Sequence, residues 1–242
     1  GLGSATCLAR AGFRLVICAR SPDTLSSAAG GLRELGAEVE AVPADVSDRG
    51  QLESVFASAD RVFGRLDVLV ANSGGPPPGG FMEVDDDRWE GTFRLTLMSA
   101  IRAMRLAVAR MRSAGYGRII MIGSSSVKQP IENLVLSNTF RPALLGVVKT
   151  LSREVAADGI TVNMVSPGRI NSDRVRAVDE SRAQRQGVTI EEIRRATERD
   201  IPAGRYGEPE ELGALVAFLA SESAAYITGQ SIIVDGGMVS AL

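Results

Sequence analysis

Short apolar runs of strand length alternate with helical patterns along this chain, and that rhythm restricts the fold more than any other feature. The runs lie at residues 15–19, 39–42, 66–71, 118–123, 160–166 and 231–235. Most are β-branched and continuous rather than alternating, as expected for a parallel sheet covered on both faces. Pro43 closes the short second run. Between runs, Leu52, Val55, Phe56, Ala59, Val62 and Phe63 keep a three-to-four spacing after Ser47, a suitable N-cap. Residues 89–111 and 144–156 read as longer, richly apolar helices, with more hydrophobic surface than one sheet face covers. This order predicts one doubly wound α/β domain over 1–242 with right-handed crossovers.

Two segments break the rhythm. Residues 74–80, GGPPPGG, suit neither helix nor central strand and read as a loop at the carboxyl end of the preceding run. Residues 169–204 are charged and read as an excursion with one or two short helices. Ligands of open α/β sheets bind at the carboxyl ends of strands, so both segments are expected pocket walls. Arg169, Arg174, Arg176, Arg182 and Arg185 in the excursion suit either an anionic substrate or a solvated helix face.

Composition excludes several function classes. The net charge of −2 comes from 27 basic and 29 acidic residues mixed along the chain, which argues against nucleic-acid binding and against a polybasic membrane surface. The longest apolar run, around residues 215–220, is too short to span a bilayer. No secretory apolar segment opens the chain, and Cys7 and Cys18 read as small buried thiols rather than a disulfide, so a cytoplasmic location is expected. The absence of histidine removes Ser-His-Asp hydrolysis and most zinc sites. No metal site is expected.

Gly1-Leu2-Gly3 leads into a helix start at Ser4. Glycines there let backbone approach a pyrophosphate, which the helix N-terminus attracts. A strand normally precedes such a turn and would sit mid-sheet, so a first strand is expected to be missing from this sequence. Arg20 directly follows the 15–19 run with no acid beside it. An acid there favours a free ribose 2′-OH and an Arg accommodates a 2′-phosphate, so NADP(H) is favoured over NAD(H).

With these features the chain resembles the short-chain dehydrogenase/reductases, a Rossmann-type family, and in particular members like the 3-oxoacyl-acyl-carrier-protein reductases. The resemblance extends over essentially the whole chain. Asp45-Val46 resembles the family's adenine-contacting Asp, and Ala71-Asn72-Ser73-Gly74 its Asn-Asn-Ala-Gly turn. Pro167-Gly168 with Ile170 and Ser172 resembles the turn that holds the nicotinamide carboxamide. Arg205, Gly207, Pro209-Glu210-Glu211-Leu212 and the closing Thr228-Gly229-Gln230 and Val234-Asp235-Gly236-Gly237 match its C-terminal signature. The resemblance implies a small-molecule substrate and a homodimer or homotetramer built on the two long helices.

Its catalytic set is kept only in part. The family's Ser maps to Ser124, whose hydroxyl would bond the substrate oxygen as charge develops there. The family's Asn in the preceding long helix maps to Thr96, its Tyr to Ser137 and its Lys to Arg141. A Tyr of pKa ~10 can be poised as an acid by a neighbouring Lys, whereas an aliphatic hydroxyl is far weaker. It also ends roughly 4 Å short of a phenol oxygen, counting bonds of about 1.5 Å. Arg141 keeps positive charge for ribose hydroxyls but cannot shuttle a proton. Lys128 and Glu132, in the loop before Ser137, are better placed as replacement donors than Tyr116, Tyr206 or Tyr226. The expected function is an NADP(H)-dependent oxidoreductase acting on a carbonyl or secondary alcohol with altered proton delivery. The alternatives are a catalytically impaired dinucleotide-binding protein with a regulatory or scaffold role, and a lyase- or isomerase-like use of the oxyanion site.

Overall fold

The computed structural model describes residues 1–241. Its strands are β1 (Leu15–Ala19), β2 (Val39–Pro43), β3 (Val68–Ala71), β4 (Gly117–Ile122), β5 (Ile160–Pro167) and β6 (Ser231–Val234). Each coincides with one of the apolar runs, with ends shifted by a residue or two. All pairings are parallel, in the orders β1-β2 and β3-β4-β5-β6. The parallel strands thus fall in two hydrogen-bonded sets. Between β1 and β3 runs a slot of about 520 Å³, lined by Val16 and Cys18 on one side and Val68 and Val70 on the other.

Continuous apolar strands follow from cover on both faces. Ile119, Met121, Val162 and Met164 point into a core with α3 (Arg49–Phe63), α5 (Ser99–Ala114) and α6 (Val135–Val155). Ile120, Ile122 and Val165 point the other way, toward α1 (Leu2–Arg10), α2 (Pro22–Glu34) and α9 (Pro209–Ala220). Alternate residues of one strand therefore serve opposite layers.

Several expectations are corrected. The first helix begins at Leu2, so Gly3 lies inside α1 rather than in a turn before it. The segment 89–111 is not one regular helix. It runs as α4 (Asp86–Thr92), a π-helical stretch Phe93–Met98, and α5. The helix expected from residue 144 already starts at Val135, and Pro142 sits within it. Proline removes the hydrogen bond to the Asn138 carbonyl. The Asn138 side chain ties the start of the helix to the preceding loop, bonding both the N–H (3.0 Å) and the carbonyl (2.9 Å) of Ile131. The excursion holds two full helices, α7 (Asp173–Gln186) and α8 (Ile190–Asp200). The cysteines are free and half-buried rather than fully buried. No helix among the described residues is long and apolar enough to cross a membrane.

Candidate active site

A cleft of about 1180 Å³ opens over the carboxyl ends of β1 to β5. At one end, α1 offers an N-terminus with no side-chain cap, so its first N–H groups are open to an anion. Gly1 belongs to a close approach, because a Cβ there would stand 2.8 Å from Asn72 Nδ2. Gly3 also lines the cleft, but its lack of a side chain serves packing: a Cβ would stand 2.5 Å from the Pro209 carbonyl oxygen of α9.

Arg20, Asp45, Val46, Asn72, Ser73 and Gly74 continue the same wall. Arg20 is exposed and makes no ion pair among the described residues. The Asp45 carboxylate accepts bonds from the Ser47 hydroxyl (2.7 Å) and N–H (2.9 Å). Those bonds, with a smaller contribution from Arg20, hold its pKa below the usual carboxylate range. The hydroxyls of Ser4 and Ser73 are buried on this wall with no hydrogen-bond partner. Buried hydroxyls normally find a partner, so an uncapped helix start with two orphaned donors fits a phosphate-bearing ligand.

The deeper half is formed by the end of β4, the start of α6 and α7. Ser124 caps a short 3₁₀ turn, its Oγ accepting the Ser126 N–H at 3.1 Å. Ser137 lies in the first turn of α6, 6 % exposed, with its Oγ 3.2 Å from Ser126 Oγ. The serine in the Tyr position is thus engaged by a second hydroxyl. Arg141 follows one turn later, equally buried, and donates from Nη1 to the Ile122 carbonyl at 2.7 Å. Burial, with added repulsion from Arg174, pushes its pKa down to about 10, so it remains a cation at neutral pH. Pro167 ends β5, and Gly168 donates its N–H to Val234 at 2.9 Å. A Cβ at Gly168 would stand 2.5 Å from that of Asp235. Ile170 is buried beneath the cleft, and Ser172 Oγ caps α7 by accepting the Val175 N–H at 3.3 Å.

Of the residues mapped to the catalytic set and to the cofactor wall, all line the cleft except Thr96. It is fully buried in the π-helical stretch, its hydroxyl unpartnered. Glu132 lines the cleft and Lys128 does not. None of the tyrosines reaches it. Tyr206 is buried elsewhere, donating to Asp179 Oδ2 at 2.9 Å, and Tyr226 is fully exposed. Tyr116 lies just before β4, at the opposite end of the sheet. Sequence motifs missed Ser126, whose role depends on a turn folding it onto α6. They also left undecided the α7 face carrying Arg174, Val178, Arg182 and Arg185 into the cleft. Those positions are one helical face, a signal readable only once α7 is known to be a helix.

A crevice across the carboxyl ends of parallel strands, with phosphate-seeking groups at one end and a hydroxyl–guanidinium pair at the other, defines a dinucleotide-binding α/β protein. The chain belongs to the short-chain dehydrogenase/reductase family: residues 1–239 match the family model described as enoyl-(acyl carrier protein) reductase. It is 37% identical over 206 residues to the 3-oxoacyl-[acyl-carrier-protein] reductase FabG of Salmonella typhimurium, covering 84% of this chain and 79% of that one. The NADPH-dependent reductase BacG of Bacillus subtilis is 33% identical, with 100% and 95% covered. Among solved structures, L-sorbose reductase from Gluconobacter frateurii, complexed with NADPH and L-sorbose, superposes with a TM-score of 0.94 at 34% identity. That match covers 100% of this chain and 93% of the reductase.

Proposed function

We propose that this chain is an NADPH-dependent oxidoreductase that reduces a carbonyl compound, or oxidises the matching secondary alcohol, with an altered route for the proton. The observation that carries this reading is the donor set of the cleft. Ser124 stands at the end of β4, Arg141 is buried with no carboxylate partner, and Arg20 directly follows β1 and forms no ion pair among the described residues. In this reading Arg20 takes the 2′-phosphate, and the α1 N-terminus with Ser4 takes the pyrophosphate. Asp45, Val46, Asn72, Ser73 and Gly74 flank the adenosine. Pro167, Gly168, Ile170 and Ser172 hold the carboxamide, and Arg141 holds the adjoining ribose. When bound, the dinucleotide supplies the hydride. Ser124 Oγ donates to the carbonyl oxygen, a bond that strengthens as negative charge gathers there. Arg141 stabilises that charge with a guanidinium anchored to the Ile122 carbonyl. The proton comes from water in the cleft beside Ser137 and Glu132. The unpaired thiols suit a reducing cytoplasm.

The engagement of Ser137 by Ser126, with no tyrosine in the cleft, favours a second reading in which the protein binds the dinucleotide but turns over little or not at all. NADPH oxidation against ketones and 3-oxoacyl thioesters separates the two. Reduction that falls roughly 10²-fold or more in Ser124→Ala supports the reductase, by analogy with loss of one oxyanion donor. Tight NADPH binding without turnover of any compound supports the second reading.

A further inference from the structure

The substrate half of the cleft carries cations that no carboxylate neutralises. On α7, Arg174, Val178, Arg182 and Arg185 share one helical face, and all line the cleft with Arg141 of α6. Neither Arg141, Arg174, Arg182 nor Arg185 forms an ion pair among the described residues. Arg182 finds only the neutral Thr197 hydroxyl, at 3.3 Å. Among the described residues, Glu132 is the only carboxylate lining this half, and it is exposed on its loop. A solvated arginine face is the usual reason for such a row, but Arg174 is only partly solvated. It is half-buried, and its Nη2 donates to the Pro76 carbonyl in the GGPPPGG loop. Its guanidinium lies so close over Gly75 that any Cβ there would overlap it. Its remaining donors have no protein partner among the described residues.

A guanidinium held in place, partly desolvated, beside a second buried guanidinium is costly unless an anion arrives. The planar fork of Arg matches the two oxygens of a carboxylate. We propose that the carbonyl substrate carries a carboxylate and that Arg174 binds it, with Arg141 deepening the positive field. The carbonyl part of this statement rests on the reductase reading, whereas the carboxylate part stands on the arginines themselves. The dinucleotide's own phosphates are the rival source of the same chemistry.

The test uses calorimetry on protein saturated with NADP⁺, which has no hydride to give, so binding is read without turnover. The probes are 2-oxobutanoate, 3-oxobutanoate and 4-oxopentanoate, each against its methyl ester. At least one acid should bind about tenfold or more tightly than its ester, the margin of one charge-assisted contact. Arg174→Gln should abolish that preference and leave NADP⁺ affinity unchanged, while Arg174→Lys keeps part of it. Esters binding as well as acids, no acid binding at all, or a preference that survives Arg174→Gln would overturn the proposal. So would weaker NADP⁺ binding by Arg174→Gln, since the anion would then be the cofactor's. An intact preference in a protein that oxidises no NADPH with any of the oxo acids refutes the reductase reading alone.

Discussion

At the scale of single residues, charge placement decides cofactor choice and stability together. Arg20 is exposed and unpaired, so a 2′-phosphate gains one charge-assisted contact at little desolvation cost. NADPH should therefore bind more tightly than NADH by roughly tenfold or more, on the order of 1.5–3 kcal/mol. Fluorescence titration of wild type and Arg20→Ala checks this: the margin should collapse in the variant. Arg141 is the opposite case, a cation 6 % exposed and satisfied by one carbonyl. Arg141→Met should raise folding stability by roughly 1–3 kcal/mol while weakening NADPH binding. Because the native pKa is lowered to about 10, the proton is held in both folded and unfolded chains below that pH. The gain, measured by denaturant unfolding, should therefore be flat from about pH 6 to 9. Above about pH 10 the native wild type can shed the charge while the unfolded chain keeps it, so wild type recovers and the gap narrows. Proton delivery is tested at the same residues. Ser137→Tyr with Arg141→Lys should raise carbonyl reduction by roughly 10²–10⁴-fold, the contribution of a positioned general acid, and neither single change should suffice. A double variant slower than an already fast wild type would show that the protein has its own donor.

At the scale of elements, α1 and α9 are held together by missing side chains. A Cβ on Gly213 would stand 2.8 Å from Cys7 Sγ and collide with the Gly3 carbonyl, so α9 lies directly on the backbone of α1. Gly213→Ala should cost roughly 1–3 kcal/mol through overpacking, read as a lower midpoint in thermal unfolding. The variant should also weaken NADPH binding, because displacing α1 moves the N-terminus that faces the cleft. The π-helical stretch has a comparable local effect. Widening the helix at Phe93–Met98 turns Thr96 inward with no partner, where a bound water can satisfy its hydroxyl.

For the whole molecule, one stretch of exposed apolar surface is built of rings in mutual contact. Phe81, Trp89, Phe140 and Phe93 form a chain of ring contacts with centroids 5.8–6.5 Å apart, joining the loop before α4 to α6. Phe81 is 71 % exposed, its neighbour Met82 is 91 % exposed, and Phe93 is 42 % exposed. Pro142, Ala143 and Gly146 present small residues on the adjoining exposed face of α6. Such a patch suits a two-fold contact with a second copy. Light scattering at micromolar concentration should give a dimer or tetramer mass, and Trp89→Asp should shift it toward monomer.

The strands were readable in the sequence because burial on both faces demands unbroken apolar runs, a local signature that tertiary context merely completes. The cleft wall over β1 to β3 was readable for a related reason: close backbone approach and turn geometry admit few residue types. Helix starts were less readable. Residues 135–143 carry polar side chains and Pro142, and only packing against the sheet and the Asn138–Ile131 bonds keep them helical. Gly3 shows the limit most clearly, since a glycine serving a phosphate and a glycine serving a helix crossing are the same letter until α9 is in place. The pairing of Ser126 with Ser137, and the convergence of Arg141 with the α7 arginines, join positions on separate elements. No periodicity along the chain encodes them, because they exist only where the crossovers bring those elements to one end of the sheet.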